Sequence, residues 1–284
     1  MNANVTVTSQ QHVIRKLMRH PSAVIGASII LFFVTIAIFA PLLAKHEPMM
    51  ANVENRLTGW SYEHFLGTDG TGRDVYSRIL YGARISLKVG LIAITFSLGL
   101  GTLFGAFAGY YGGWLDNVIM RVMDMLLAMP SILLAMVIVT ILGQSLTNAI
   151  IAVSIVYIPQ YARILRASVL KVRELDYVTA AKVIGASDIR ILVTTVLPNC
   201  LAPLIVQATL GIGAAILDAA GLSFLGLGAE IGVPEWGAML NENTKFIRKA
   251  PLSVFAPGMA IFLIVLGFNL LGDALRDALD PQID

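Results

Sequence analysis

Chemistry in this chain would have to come from four histidines, one cysteine, one serine motif and one acid inside an apolar run. His12, His20, His46 and His64 are scattered, and no His-Glu-x-x-His sets two imidazoles on one helix face. Cys200 has no second cysteine to share a metal or a disulfide. The expectation is therefore no metal site, with each histidine solvated or interfacial and Cys200 a small packing residue. Gly221-Leu222-Ser223-Phe224-Leu225 begins like the Gly-x-Ser-x-Gly nucleophile elbow, but its last position is leucine and its setting is apolar. There is no Gly-x-x-x-x-Gly-Lys-Ser/Thr, so the chain has no loop of its own to cradle phosphates. These absences predict a chain that is not an enzyme and holds no cofactor. Asp218 remains. An acid within a membrane span is a functional candidate by default. Alone it fits an ion-coupling site and a pairing across a helix interface equally well.

The composition says what positions these groups. Of 284 residues, 57% are hydrophobic and 13% charged. Globular domains carry about 25% charge, so the chain has too little polar surface to be water-soluble and reads as polytopic. A net charge of +2 gives no case for nucleic acid. The first uncharged run, Pro21 to Ala44, exceeds the roughly 7–15 residues of a signal-peptide core and reads as a retained span.

A span needs about 20 apolar residues. The uncharged runs place the first at 23–43, the second within 89–115, and a third and fourth in a hairpin broken at Gly143 to Asn148. The fifth runs from near Pro198 to about Leu222, and the sixth from Ala250 to Gly272. Six spans put both termini on one side. Eleven of the twenty Lys and Arg then fall on the inner side, six of them between Arg163 and Arg190. That dense inner loop orients the chain N-in, C-in.

The domain organisation is an inner N-terminal segment (1–22), the first span (23–43) and an outer loop (44–88) with an amphipathic stretch in which Arg73, Asp74 and Arg78 form the polar side. A five-helix core (89–276) follows, then an inner tail (277–284). The second outer loop, Ser223 to Lys249, is too glycine-rich for a long helix before about Met239. Gly101, Gly105, Gly109 and Gly113 repeat every four residues on one helix face and predict close helix packing. Pro130 follows a helical run and Pro159 sits within the fourth span; each would kink its helix, as prolines commonly do in static membrane bundles. Met129, Pro130 and Asp218 are the candidates for a translocation path.

The stretch from Tyr177 to Pro198 is the charged, helix-patterned segment between spans four and five. Val172, Leu175, Val178 and Ala181 recur at three-residue steps, with Lys171, Glu174 and Lys182 off that stripe. Gly185 ends this helix, and Ser187-Asp188 predict a fresh N-cap. Ile189, Leu192, Val193 and Val196 start a second helix toward Leu197-Pro198. A bare connection needs about 2–8 residues; this one (169–198) is far longer, so the pattern predicts a knob that docks something.

In this segment the chain resembles the permease subunits of bacterial ABC importers that work with a solute-binding protein. Their signature runs Glu-Ala-Ala, three residues, Gly, nine residues, Ile, one residue, Leu-Pro. Ala180, Ala181, Gly185, Leu197 and Pro198 match it, while Thr179 stands in place of the Glu and Thr195 in place of the Ile. The likeness covers nearly the whole chain and is strongest to the dipeptide/oligopeptide/nickel branch, in particular to C-type subunits of dipeptide permeases. It rests on Leu66-Gly67-Thr68-Asp69, Gly72-Arg73-Asp74, Tyr81 to Leu87, Ala108 to Gly113, Leu222 to Gly228, Pro234 to Gly237 and Phe268 to Pro281.

The resemblance implies an all-α membrane protein with six transmembrane helices, N-in/C-in, in the type I ABC importer permease fold with a cytoplasmic coupling-helix loop. It implies a second homologous permease, two cytoplasmic ATPases that bind ATP and Mg, a periplasmic or lipid-anchored binding protein, and a place in the bacterial inner membrane. The ATPase-coupling residues would be Tyr177, Thr179, Ala180, Ala181, Gly185, Ala186, Leu197 and Pro198. The cargo would be dipeptides or oligopeptides, with nickel, a metal chelate or glutathione as the alternative within the family. From other classes stand an ion-coupled secondary carrier acting alone and an intramembrane enzyme, the latter disfavoured by the missing nucleophile and metal constellations.

Overall fold

The computed structural model describes Leu17 and residues 20–279; the basic cluster Arg15, Lys16 and Arg19, His12, and the end of the tail lie outside the described residues. No β-strand occurs among the described residues, and one isolated bridge pairs Thr68 with Asp74. Among the described residues, five helices are long and apolar enough to span a membrane: α1 (Pro21–Leu43), α2 (Val75–Tyr111), α5 (Leu146–Val172), α7 (Asp188–Phe224) and α9 (Leu252–Leu279). A sixth crossing is made only if α3 (Gly113–Leu127) and α4 (Ser131–Leu142), bent by 94° to one another, count as one span. The third span thus departs from the run expected from Met125. Pro130 is the cause: it lacks an N–H and biases the residue before it out of the α region. At 1.5 Å per residue, the twelve residues of α4 reach about 18 Å, well short of a ~30 Å hydrocarbon core.

The glycine face of α2 packs against α5 of the same chain. A Cβ on Gly101 would lie 2.5 Å from Tyr161 Cβ, one on Gly105 2.4 Å from the Ala162 carbonyl oxygen, and one on Gly109 3.0 Å from that of Arg166. Gly113 does not belong to this face. It follows the end of α2, has φ +60° and meets nothing within 4 Å, so it serves the turn into α3. The core on this side joins α2, α4, α5 and α7 through residues such as Ala106, Val139, Leu165 and Ala215. A second core joins α1, α2, α7, α9 and the short helix α8 (Trp236–Asn243) around Trp236, Ile216 and Phe268. There α1 crosses α9 at another pair of glycines, Gly26 and Gly267, where a Cβ on Gly26 would meet the Gly267 oxygen at 2.7 Å.

The outer-loop stretch read as amphipathic is the first turns of α2, which starts at Val75 rather than near Val89. Its polar residues do not face water. Arg73 Nε donates to Asp69 Oδ2 at 2.7 Å, Arg78 Nη1 donates to the same oxygen at 3.0 Å, and Arg78 Nη2 reaches Glu242 Oε2 at 3.2 Å. Arg73 also pairs with Glu242, whose other oxygen accepts from the Gly232 N–H at 2.7 Å. Arg78 is 0% exposed. Two guanidinium groups and two carboxylates thus lock the first outer loop to α8. Burial alone would raise the Asp69 carboxyl, but Arg78 and Arg73 outweigh it and hold it below its ordinary 3.8. That contribution is present above the ordinary carboxylate value and is lost as pH falls through the lower folded one. Arg78→Lys keeps the charge but cannot reach both acids, losing one charge-assisted bond, worth about 1.5–3 kcal/mol. The expected result is a lower melting temperature in detergent; an unchanged one would contradict a locked loop.

α8 begins three residues earlier than the glycine content suggested. Glu235 caps it, accepting from the N–H groups of Gly237 at 2.9 Å and Ala238 at 2.8 Å. Burial pushes the Glu235 carboxyl up, against the pull of those bonds and of the Ser223 and Ser86 hydroxyls. Ser223 is therefore structural: buried, and accepting also from the Ala229 N–H at 3.1 Å.

Candidate coupling knob and translocation cleft

The knob is not the single amphipathic helix expected from Val172 to Lys182. α5 ends at Val172, a turn crosses Arg173 to Leu175, and a separate helix α6 (Asp176–Val183) follows. The three-residue spacing runs across that break, so Val178 is buried while Leu175 is exposed. Gly185 ends α6 as anticipated, with φ +84°. Ala186 N–H donates back to the Ala181 oxygen at 3.1 Å and Gly185 N–H to that of Lys182 at 3.0 Å, the paired bonds of a glycine-closed helix end. Ser187 stands at the next N-cap position, but its hydroxyl makes no capping bond. Only its carbonyl engages, accepting from the Ile191 N–H at 2.9 Å.

The knob turns an apolar face outward. Tyr177, Thr179 and Ala180 are exposed. Val183 is 82% and Ile184 83% exposed, with Ile189 also outward. Val178 is buried beneath, with Ala181 and Ala186 packed beside it. Apolar groups left open in water mark a surface that a partner covers.

Polar bonds tie this knob to the ends of the long helices. Tyr110 Oη, at the end of α2, donates to Asp188 Oδ1 at 2.9 Å, and Lys182 Nζ lies 5.5 Å from the centre of the Tyr110 ring. Arg173 Nη1 donates to the Gly109 oxygen at 2.8 Å, satisfying a carbonyl left over at the helix end. Arg166 and Asp116 make a two-point pair across α5 and α3, with Nη2 to Oδ2 at 2.6 Å. Arg163 pairs with Asp124 nearby at 2.5 Å.

Beyond the knob, α7 does not begin near Pro198 but runs continuously from Asp188, with a π turn at Leu192–Val196 and a 3-10 turn at Leu197–Cys200. Pro198 has no N–H to give the preceding turn and its ring crowds that turn. The irregular turns absorb the misfit. Thr194 Oγ1 bonds to the Arg190 oxygen and Asn199 Nδ2 to that of Thr195, both at 2.7 Å. Leu197 and Pro198 thus stand where knob becomes span. Cys200 is buried there, a packing residue.

At the break between α3 and α4, a cleft of about 640 Å³ opens against α5, lined by Leu127, Met129, Ser131, Tyr157, Gln160 and Arg163 among others. Met129 therefore faces a cavity. Pro130 shapes it by breaking the helix. Asp218 reaches the cleft indirectly: it accepts a bond from Tyr157 Oη at 2.9 Å across the α5–α7 interface. The structure favours the pairing role among the two open for Asp218.

The outer side holds what sequence reasoning missed. The buried Asp69, Arg73 and Arg78 looked like turn formers and solvated charges, and their half-buried partner Glu242 lies far away in the chain. His64, expected to be solvated, is buried, with Nδ1 2.9 Å from Asp74 Oδ1 and its ring centre 4.6 Å from that of His46. No spacing rule links residues this far apart.

Three comparisons bear on this geometry. Residues 101–284 match the family described as binding-protein-dependent transport system inner membrane component, and residues 10–59 match the N-terminal transmembrane domain of oligopeptide transport permease C. The chain is 52% identical to the dipeptide transport system permease protein DppC of Alkalihalophilus pseudofirmus, over 98% of this chain and 91% of that one. It is 47% identical to DppC of Haemophilus influenzae, over 92% and 90%. It is 44% identical to the glutathione transport system permease protein GsiD of Pectobacterium atrosepticum, over 95% and 90%. Among solved structures it is similar to the inward-facing MetNI methionine ABC transporter, with a TM-score of 0.57 and 18% identity over 71% of this chain and 96% of that one, a likeness of fold.

Proposed function

Since this chain belongs to the inner membrane components of binding-protein-dependent transport systems, and is a multi-pass permease with the type I ABC importer fold, we propose that it carries dipeptides, working with a second permease, two ATPases and a solute-binding protein. Support for the cargo comes from relatives named for dipeptide transport at 52% and 47% identity over nearly the full chain. Glutathione, itself a peptide, is the second reading, because relatives named for its transport follow at 44–45%.

One observation carries the mechanism: the outward apolar face of α6, held by Tyr110–Asp188 and Arg173–Gly109 to the end of α2. In our reading each ATPase binds its ATP and Mg and receives one such knob, this chain's through Tyr177, Thr179, Ala180, Val183 and Ile184. Closure of the ATPases pulls α6. The pull reaches α2 through Asp188 and Arg173, and α5 directly through the turn at Arg173 to Leu175. Because α2 and α5 are sealed by Gly101, Gly105 and Gly109, they move together. The softer element is the α3–α4 break, so the cleft beside Met129 is where the rearrangement is taken up. Thr179 offers the ATPase a short hydroxyl in place of the carboxylate usual at that position.

A strain lacking this chain is expected to lose uptake of a labelled dipeptide, with recovery on re-expression and competition by unlabelled dipeptides. Preferential competition by glutathione would select the second reading. Uptake that collapses with an uncoupler while ATP is held constant would point instead to an ion-coupled carrier.

A further inference from the structure

We propose that His46, His64 and Asp74 form a binding site for a divalent transition-metal ion of the zinc type on the outer face, apart from the translocation cleft. One ligand atom from each residue lies within 4.8 Å of the others. His64 Nδ1 and Asp74 Oδ1 are 2.9 Å apart, close to the separation of about 3.3 Å that two ligands take on a tetrahedral ion with bonds near 2.0–2.1 Å. His46 therefore needs to close by at most about 1.5 Å to complete the set.

His46 and Asp74 are held before any ion arrives, and His64 meets Asp74 through the nitrogen that would ligate. The His46 backbone N–H donates to Ser77 Oγ at 3.2 Å, in the first turn of α2. The His46 ring is oriented by Nε2, which donates to the Glu63 oxygen at 3.1 Å and leaves the Nδ1 lone pair for a ligand. A histidine whose other nitrogen is anchored in this way is the usual arrangement at metal centres. Asp74 is fixed by the Ser77 N–H on Oδ2 at 2.7 Å, with Oδ1 turned to His64.

Charge gives the second argument. Asp74 is 3% exposed, and among the described residues the one basic group within ion-pair distance is His64. Asp69, by contrast, has two guanidinium groups. A buried carboxylate without a permanent cation is costly, and the end of α2 offsets only part of that cost. A divalent cation would supply the remainder. Two imidazoles and one carboxylate favour zinc, copper or nickel over calcium or magnesium. Three protein ligands leave a fourth position for water or for an atom from a partner docking on this face. Occupancy would pin the first outer loop to the start of α2, beside the ion network of Asp69, Arg78 and Glu242.

The test is zinc titration of the full chain in lipid nanodiscs, against a competing chelator dye, with an affinity tag that contains no histidine. One equivalent of zinc per chain is expected, weakened at least tenfold by His46→Ala. That variant leaves the buried His64–Asp74 bond in place, so folding is not at issue. His20→Ala should bind like the parent. Copper substituted at the site should show two coupled nitrogens in its electron paramagnetic resonance spectrum, falling to one in His46→Ala. No stoichiometric zinc in the parent chain, or equal affinity in His46→Ala, would overturn the proposal.

Discussion

Gly185→Trp is expected to abolish co-purification of the ATPases and drop uptake to background, while the chain still inserts and melts within a few degrees of the parent. Gly185 sits at φ +84°, and a Cβ added there would meet nothing within 4 Å, so the site is strained for any other residue but not crowded. A left-handed conformation costs a non-glycine residue about 1–2 kcal/mol. That is small against a typical folding stability of about 5–15 kcal/mol, which is why insertion survives. The bonds from Gly185 and Ala186 that close α6 depend on that backbone angle. Losing them lets the last turn unwind and scatters Val183 and Ile184, and the indole would stand between the knob and whatever covers it. Gly185→Asn, which tolerates the left-handed region better, should retain part of the association. Normal ATPase recovery with Gly185→Trp would remove the docking role from this loop.

Gly105→Leu should leave little folded protein. The first added carbon alone would lie 2.4 Å from the Ala162 oxygen and 3.0 Å from Leu165 Cβ. The obstacle is helix backbone, which cannot step aside as a side chain can. Overpacking costs about 1–3 kcal/mol where neighbours can adjust; here α2 must separate from α5 along the face that also holds Gly101 and Gly109. With Gly101→Leu added, the loss should approach the whole stability of the bundle. Gly99→Leu, on the same helix with nothing within 4 Å, is the matched control and should be neutral in fluorescence-detected size-exclusion melts. Equal losses at positions 99 and 105 would mean that the face does not hold the two helices together.

How much of this was legible beforehand depended on whether the cause was local. Apolar runs between charges located α1, α2, α5 and α9 because lipid demands length and apolarity of each helix separately. The four-residue glycine repeat announced a face, yet it extended to Gly113, where the helix has already ended; spacing alone does not mark the last turn. Gly185 was readable for the same local reason, since a glycine after an amphipathic run closes helices. The 94° break at Pro130 was only half visible: proline announced a disturbance but not its size, and the pairs that tie α3 to α5 through Asp116 and Asp124 join segments far apart in the chain. Least visible were the outer charges. Arg78 follows an apolar pattern poorly and looked solvated, because its second acid, Glu242, arrives from the other loop. His46, His64 and Asp74 were scattered by the same measure, and only the fold of the loop around the start of α2 brings them together.

The 37 residues of α2 come to about 55 Å, far more than a membrane requires, and no proline interrupts them. One end carries the ion network and the His46–His64–Asp74 cluster; the other carries Tyr110 and the carbonyl that holds Arg173. Such a helix is a connecting rod. It has no joint of its own, so a displacement imposed where a delivering protein would rest on the outer loops is carried to the knob with α5 moving alongside, because the glycine face holds the two helices together. News that cargo has arrived and the stroke driven by nucleotide would then travel the same shaft in opposite directions, and whatever stiffens its outer mount also sets how much of either motion is transmitted.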